Sequence, residues 1–469
     1  MHASPAQSAN ISGRLRSMPN QVQQNEAKAL LGLLKDNLDA KNLEPKRLEE
    51  TLTKLKILGR DVTNISAIYD DPWMKVLGSY AFGEYGPRVR QEASRCVANA
   101  LLLLPSTRKS SLNLGFDKMA ADALQKANDD EEFLLARILF LLTYDPSIDL
   151  KALIVDHDLA GSIIKNLSRH ADELKSTSKA RVNQTATAAL GETLKLLFNV
   201  TNCQTDQTNK FNPAVVELLQ ILDHSDIPTP PLQPPISLLI NALANLELGS
   251  NEAGVGKELD SGAENLITIL ELALEKHSIT ELDTIAISLL TVLRNINEVA
   301  NPEVRDVMKA RLLPDDKERD QPLGKSSSLA SKLLRLTTSS GLLNLSEAIS
   351  GLMFELSDKD ANEYVKNVGY GYAAGYLMSH KIPVPDSAKK SQTAGESSNN
   401  VPINPITGQR LDKEPVNDLP EMTREEKERE AERLFVLFER LKATGVVDVK
   451  NPVEQARDEG RFEELSDSD

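Results

Sequence analysis

A chain of 469 residues with a formal net charge of −15 has no basic stripe of the kind that counterion release from a nucleic acid needs, which argues against a general nucleic-acid binder. The composition is 40% hydrophobic, 26% charged and only 4% aromatic, with Leu-rich 3.6-residue periodicity in place of strand-like alternation, so it reads as globular and all-α. No apolar run reaches the roughly 18 residues of a membrane-spanning helix.

Residues 1–25 are polar and are expected to form a flexible N-terminus, and Met1-His-Ala-Ser lacks the layout of a signal peptide. A short helix is predicted from Asn25 to about Leu38. Pro45 opens the next, with Leu48, Leu52 and Leu55 on one face. Lys56 and Arg60 stand four apart on the flank of that stripe. They suit either a solvated face or a receptor for a carboxylate.

One helix then recurs. Ala93–Asn99, Gly191–Thr201, Leu238–Asn245 and Ser288–Asn295 each carry an Asn after a bulky apolar pair, and Asn99, Asn199, Asn245 and Asn295 are 100, 46 and 50 residues apart. Arg137–Thr143, with Phe140 and no Asn, fills the long gap. A period of about 40–47 residues, lengthened by loops, is that of armadillo or HEAT repeats. Repeats pack only on their neighbours, so residues 26–380 can be a single superhelical solenoid. The recurring Asn can satisfy the array's own backbone or clamp an extended guest peptide, and Phe140 and Phe198 fit a core or a groove.

Loops punctuate the array. Asp223–Pro235 is Pro-rich, and Leu313–Ser328 is charged and then Ser-rich. Gly254-Val-Gly-Lys257 ends like a phosphate loop, but Asn251 and Glu258 break the pattern and the stretch is read as an ordinary loop. Cys96 and Cys203 are read as buried thiols of a cytosolic protein. The histidines are not at metal-ligand spacing and no nucleophile elbow appears, so no cofactor, metal or catalytic residue is expected.

Repeat helices are expected through about Ser357, after which the texture changes to a Gly- and Tyr-rich stretch at 367–380. Residues 381–421 read as a disordered linker interrupted by Asn404-Pro-Ile-Thr-Gly408. Thr423-Arg-Glu-Glu426 is a capping box, opening a helix over 422–446 with Leu434, Leu437, Phe438 and Leu441 on one face. An acidic tail, 447–469, follows.

In this order, Leu55-Lys-Ile-Leu-Gly-Arg-Asp61, Cys96-Val-Ala-Asn99, Leu194–Thr201, Val368–Gly375, Asn404–Gly408 and Met422–Ala431 resemble synembryn, the family of exchange factors and chaperones for heterotrimeric G-protein α subunits (Gα), in its fungal style. The resemblance spans about residues 50–447. Two departures stand out: Gly59 lies where relatives tend to have Ser, and 386–400 lacks the acidic, Ser-rich run that a kinase modifies in animal members.

The resemblance implies a solenoid whose concave groove captures the Gα C-terminal tail. Lys56, Arg60, Asn99, Arg137, Phe140, Phe198, Asn199, Asn245 and Asn295 are the candidate contacts. It further implies that Leu434, Leu437, Phe438 and Leu441 grip the Ras-like domain, that GDP leaves, and that nucleotide-free Gα is held until GTP binds. No bond is made or broken, so the chain is not expected to be an enzyme. The expected partner is GDP-bound or nucleotide-free Gα, and the expected state is a cytoplasmic monomer that reaches the cell cortex through Gα. The alternative is a generic armadillo adaptor for another extended peptide.

Overall fold

Helix start signals recur along the chain and are used. Pro45, Pro87 and Pro302 each occupy the first turn of a helix, where a missing N–H costs nothing. Asp70 and Asn128 cap two further helices and Asn301 caps the one that Pro302 opens, accepting from the backbone N–H of Trp73, Glu131 and Val304 respectively. Ser278 and Glu281 form a complete capping box.

The computed structural model describes residues 20–61, 69–176, 183–249, 255–384, 395–396, 402–404 and 406–414. Near the C-terminus it also describes 423, 425–427, 429–430, 432–433 and 436. Twenty α-helices are found among them. They are α1 (Asn20–Ala40), α2 (Pro45–Leu58), α3 (Asp71–Phe82), α4 (Pro87–Leu103), α5 (Ser106–Asn113), α6 (Phe116–Leu124) and α7 (Asp129–Leu142). Next come α8 (Leu150–Val155), α9 (Leu159–Ser176), α10 (Gln184–Cys203), α11 (Ala214–His224), α12 (Ile236–Ala244), α13 (Val255–Lys276) and α14 (Ile279–Ile285). The last are α15 (Ile287–Val299), α16 (Pro302–Leu312), α17 (Leu329–Thr337), α18 (Leu343–Leu356), α19 (Ala361–Val368) and α20 (Tyr370–Ser379).

The long helices pack in two parallel rows. In the first, α2, α4, α7, α10, α12, α15 and α18 each touch the next. In the second, α1, α3, α6, α9, α11, α13 and α16 do the same. Pairing across the rows gives a helical-repeat solenoid whose core runs along its length as one apolar cluster, from Ala27 to Leu377. The predicted faces go inward: Leu48, Leu52 and Leu55 of α2, and Leu194, Leu197 and Thr201 of α10, are buried. Truncating one such Leu to Ala costs about 2–5 kcal/mol.

A polar knot ties the two rows together midway. Glu132 on α7, fully buried, accepts from Thr193 Oγ1 at 2.5 Å, lies 3.1 Å from His170 Nε2, and also accepts from Arg169. A carboxylate taken out of water is tolerable only with this many partners.

Several expectations change. The first described helix begins at Asn20, not Asn25. Gly256 and Lys257 lie in the first turn of α13 and not in a loop. The Gly- and Tyr-rich stretch, to which the sequence alone assigned no element, contains α20: Tyr364, Tyr376 and Phe354 pack ring against ring, and that aromatic packing compensates for the glycines. Cys96 is buried, but Cys203 is exposed, because it ends α10 on the side facing away from the core. The only strands among the described residues are a two-residue pair, Gly395–Glu396 against Pro402–Ile403.

The chain divides into two units, Met1–Asp412 and Lys413–Asp469. In the second, the predicted capping box is present: Thr423 N donates to Glu426 at 2.9 Å and Glu426 N to Thr423 Oγ1 at 3.3 Å. Leu434, Leu437, Phe438 and Leu441 lie outside the described residues. No helix among the described residues is long and apolar enough to cross a membrane.

Candidate functional site on the first row of helices

On α4 the residues Val89, Ala93, Cys96, Val97 and Ala100 turn inward, which leaves Glu92, Arg95 and Asn99 on the adjoining flank. On α10 the same offsets carry Glu192, Lys195 and Asn199. Thus Glu, a cation three on and Asn seven on occur twice, and the two copies behave alike. Glu92 accepts from Lys56 Nζ of the preceding α2 at 2.6 Å and from Arg95 of its own helix at 2.7 Å. Glu192 accepts from Arg137 of the preceding α7 at 3.0 Å and from its own Lys195 at 2.9 Å. Arg90 to Glu131, at 2.5 Å, joins α4 to α7, and Arg294 grips Glu355 with two bonds, 2.7 and 3.1 Å, to join α15 to α18.

These pairs are partly shielded, so they are stronger than fully solvated ones. Burial works to raise the Glu92 carboxyl, yet the hydrogen bonds from Lys56 and Thr53 and the charges of Lys56 and Arg95 outweigh it and hold it below its ordinary value. The Glu355 hydrogen bonds raise the Arg294 guanidinium above its own.

Most of the residues singled out in the sequence lie along this row, but they do different things. Lys56 is spent on Glu92. Arg60 is exposed and lies past the end of α2, which stops at Leu58, so the two do not share a helical flank. The helix stops because Gly59 is its C-cap, with its N–H bonded to Leu55 and Ile57 carbonyls. Space at Gly59 is also limited: a Cβ there would collide with the buried Tyr69 hydroxyl.

Asn199 donates to Thr143 Oγ1 at 2.8 Å, and Asn245 donates to the Phe198 carbonyl and to Thr201 Oγ1, both at 3.2 Å. These two asparagines stitch neighbouring helices together. Asn99 differs: its Nδ2 is buried with no hydrogen-bond partner. Such an unmet donor costs about 1–3 kcal/mol, which a guest carbonyl can recover once the half-buried side chain turns outward. Asn295 sits on α15 without an interhelix bond among the described residues, and its neighbour Arg294 carries that junction.

Phe140 and Phe198 are half-buried. Phe140 packs edge-on to Tyr144, with ring centroids 5.3 Å apart, and lies 6.0 Å beneath Lys195 Nζ. Arg137 lies over Phe133 at 5.9 Å. The face therefore carries ion-paired cations on α2, α4, α7 and α10, with the exposed Arg60 just past α2 and the half-buried rings of Phe140 and Phe198 on α7 and α10. The acids Glu92, Glu131 and Glu192 were missed in the sequence, although the Glu-to-Asn offset of seven repeats in it.

The family model described as guanine nucleotide exchange factor synembryn matches residues 51–461. The chain is 24% identical to the chaperone Ric-8A of Xenopus tropicalis, over 95% of this chain and 90% of that protein. A synembryn-like chaperone of Schizosaccharomyces pombe is 33% identical over 34% of this chain and 32% of its own. A designed armadillo repeat protein, YIII(Dq)4CqI, aligns with 58% of this chain and 99% of its own at a TM-score of 0.39 and 13% identity. With a match that runs from α2 almost to the C-terminus, the chain belongs to the family of the guanine nucleotide exchange factor synembryn.

Proposed function

We propose that this chain is an exchange factor and folding chaperone for heterotrimeric Gα subunits, and that the first row of helices is where it takes the Gα C-terminal tail. The observation that carries the site is the sorting along that row. Most of its cations are neutralised by glutamates, whereas Arg60 stays exposed, Asn99 keeps an unmet donor, and the half-buried Phe140 and Phe198 follow. A chain terminus offers the complementary set: one carboxylate, unpaired backbone groups and apolar side chains.

In this reading Arg60 takes the terminal carboxylate, Asn99 a backbone carbonyl, and the rings the apolar residues upstream. Drawing the tail out loosens the nucleotide site at the far end of its helix, and GDP leaves. Exchange of this kind is linkage between two binding events. If tail capture weakens nucleotide affinity by some factor, nucleotide weakens capture by the same factor, so GTP releases the product. Holding a nucleotide-free Gα is also what a chaperone does. The C-terminal helix supplies a second grip through Leu434, Leu437, Phe438 and Leu441, and the protein acts as a cytoplasmic monomer that visits the cell cortex with Gα.

The test is capture by nucleotide-free against GTP-loaded Gα, with GDP release followed alongside. Strong capture of the first, weak capture of the second and faster GDP release are expected. Equal capture of both forms would sink the linkage.

A further inference from the structure

The Glu–cation–Asn pattern of α4 and α10 repeats its charged pairs, yet the two copies differ at single atoms. In the α4 copy both carboxylate oxygens are met: Glu92 Oε1 accepts from Arg95 at 2.7 Å, and Oε2 from Lys56 at 2.6 Å and Thr53 Oγ1 at 3.0 Å. Its asparagine, Asn99, keeps an unmet Nδ2 donor. The α10 copy is the inverse. Asn199 Nδ2 is met by Thr143, whereas the Glu192 carboxylate is half used. Arg137 at 3.0 Å and Lys195 at 2.9 Å both approach Oε1, and Oε2 is buried with no hydrogen-bond partner among the described residues.

The residues before the pairing cations account for the difference. Three positions before Lys56, α2 carries Thr53, whose hydroxyl meets Glu92. Three positions before Arg137, α7 carries Leu134, which has no donor to give. A buried carboxylate oxygen left unmet carries the full desolvation penalty of that atom, and any donor brought to it recovers the loss. The cover over it can move. The Glu192 side chain is 5% exposed, whereas those of Arg137 and Lys195 are 31% and 35% exposed, so two long, flexible chains stand between it and solvent. Lys195 Nζ also lies 6.0 Å from the centre of the Phe140 ring, which puts Glu192 beneath the aromatic part of the first-row face.

We infer that Glu192 is the acceptor of the tail receptor: it takes an N–H donor of the guest at the α7–α10 junction, as Asn99 takes a guest carbonyl at α4. The inference rests on the tail-capture reading above. α4 and α10 both pack on α7, and two steps of about 8–10 Å separate them, a span that one tail segment covers. The consequence is a selectivity rule. A guest must bring both an acceptor and, farther along, a donor, and a segment of suitable charge and apolar character that lacks the donor is rejected. The donor is the N–H of a main-chain amide or of a Lys, Arg, Asn or Gln side chain.

Glu192→Gln in the full-length chain is the test, with a synthetic Gα C-terminal peptide as the probe. The substitution keeps the shape and replaces one carboxylate oxygen by an amide NH2. Two series of peptide analogues are compared. One replaces each main-chain N–H in turn by an ester oxygen, and the other replaces each Lys, Arg, Asn or Gln by an apolar residue of similar length. One analogue should lose about tenfold in affinity for the parent and nothing further for Glu192→Gln. The series to which it belongs identifies the donor. Glu92→Gln is the comparison: it also strips ion pairs and should lower the melting temperature, but both oxygens of Glu92 are met within the array, so each analogue should keep the penalty it has with the parent. If no penalty vanishes in Glu192→Gln, or if the same one vanishes in Glu92→Gln, Glu192 is an ion-pair partner alone and the inference is overturned. If the unmodified peptide fails to bind the parent, the tail-capture reading falls, and the role of Glu192 with it.

Discussion

Tyr69 fills the space under the end of α2 that a side chain at position 59 would occupy, and its buried hydroxyl meets no hydrogen-bond partner among the described residues. Burial, with the nearby Cys96, pushes that phenol above its ordinary range, so it is neutral at any working pH. Gly59→Ser should therefore destabilise by about 1–3 kcal/mol through overpacking. Tyr69→Phe alone should be close to neutral, because the lost hydroxyl had no partner, and in the Gly59→Ser background it should restore part of the loss. Equal melting temperatures for Gly59→Ser and parent would remove the argument. Arg60 calls for the opposite expectation. Exposed and outside the ion-pair ladder, Arg60→Glu should leave the melting temperature unchanged and weaken binding of a Gα tail peptide at least tenfold, the scale of a lost charge pair. Lys56→Glu should lower stability too, since it strips Glu92 of a partner. Unchanged peptide affinity in Arg60→Glu would make that residue plain surface. This division of labour between Lys56 and Arg60 was not legible in the sequence. An i, i+4 spacing reads as one helical flank only while the helix lasts, and Gly59 ends it between them.

Among the elements, the helices themselves were readable because apolar period and cap signals agree, as in Pro45 with Leu48, Leu52 and Leu55, or Thr423 with Glu426. The recurring Asn was readable as a position and not as a role. Asn199 and Asn245 spend their amides on the neighbouring helix while Asn99 does not, a difference that depends on which atoms the next helix brings within hydrogen-bond distance. The Gly- and Tyr-rich stretch was placed in the repeat domain without an element assigned to it: glycine weakens a helix by about 1 kcal/mol in isolation, and α20 recovers this from ring packing that propensity does not include. After α20 the chain returns to the array, where Gly408 O accepts from the buried Arg319 at 3.0 Å, and this contact changes how a truncation should be designed. A chain ending at His380 strips Gly408 from Arg319 and leaves a buried guanidinium short of an acceptor, so both melting temperature and exchange should fall. A chain ending at Glu414 keeps the contact, so its melting temperature should match the parent while exchange is mostly lost. If the chain ending at Glu414 exchanges as fast as the parent, the C-terminal helix is not a grip.

For the whole molecule, the first-row face changes along its length: the exposed Arg60, unneutralised among the described residues, lies just past α2, and the half-buried rings of Phe140 and Phe198 follow on α7 and α10. Such a face has a direction. A peptide also has one, since its carboxylate is at one end only, and the two can be superposed head to tail in a single sense. A Gα tail peptide should accordingly bind with its last residue by Arg60 and its apolar residues over the rings. Amidating its C-terminus should cost at least tenfold in affinity, and a peptide of reversed sequence, with identical composition, should compete no better than a scrambled one. If the reversed peptide competes as well as the native tail, the face recognises composition alone. The array would then be a sticky trough, and polarity, which lets a repeating surface discriminate one end of a chain from any internal stretch, would have no part in its selectivity.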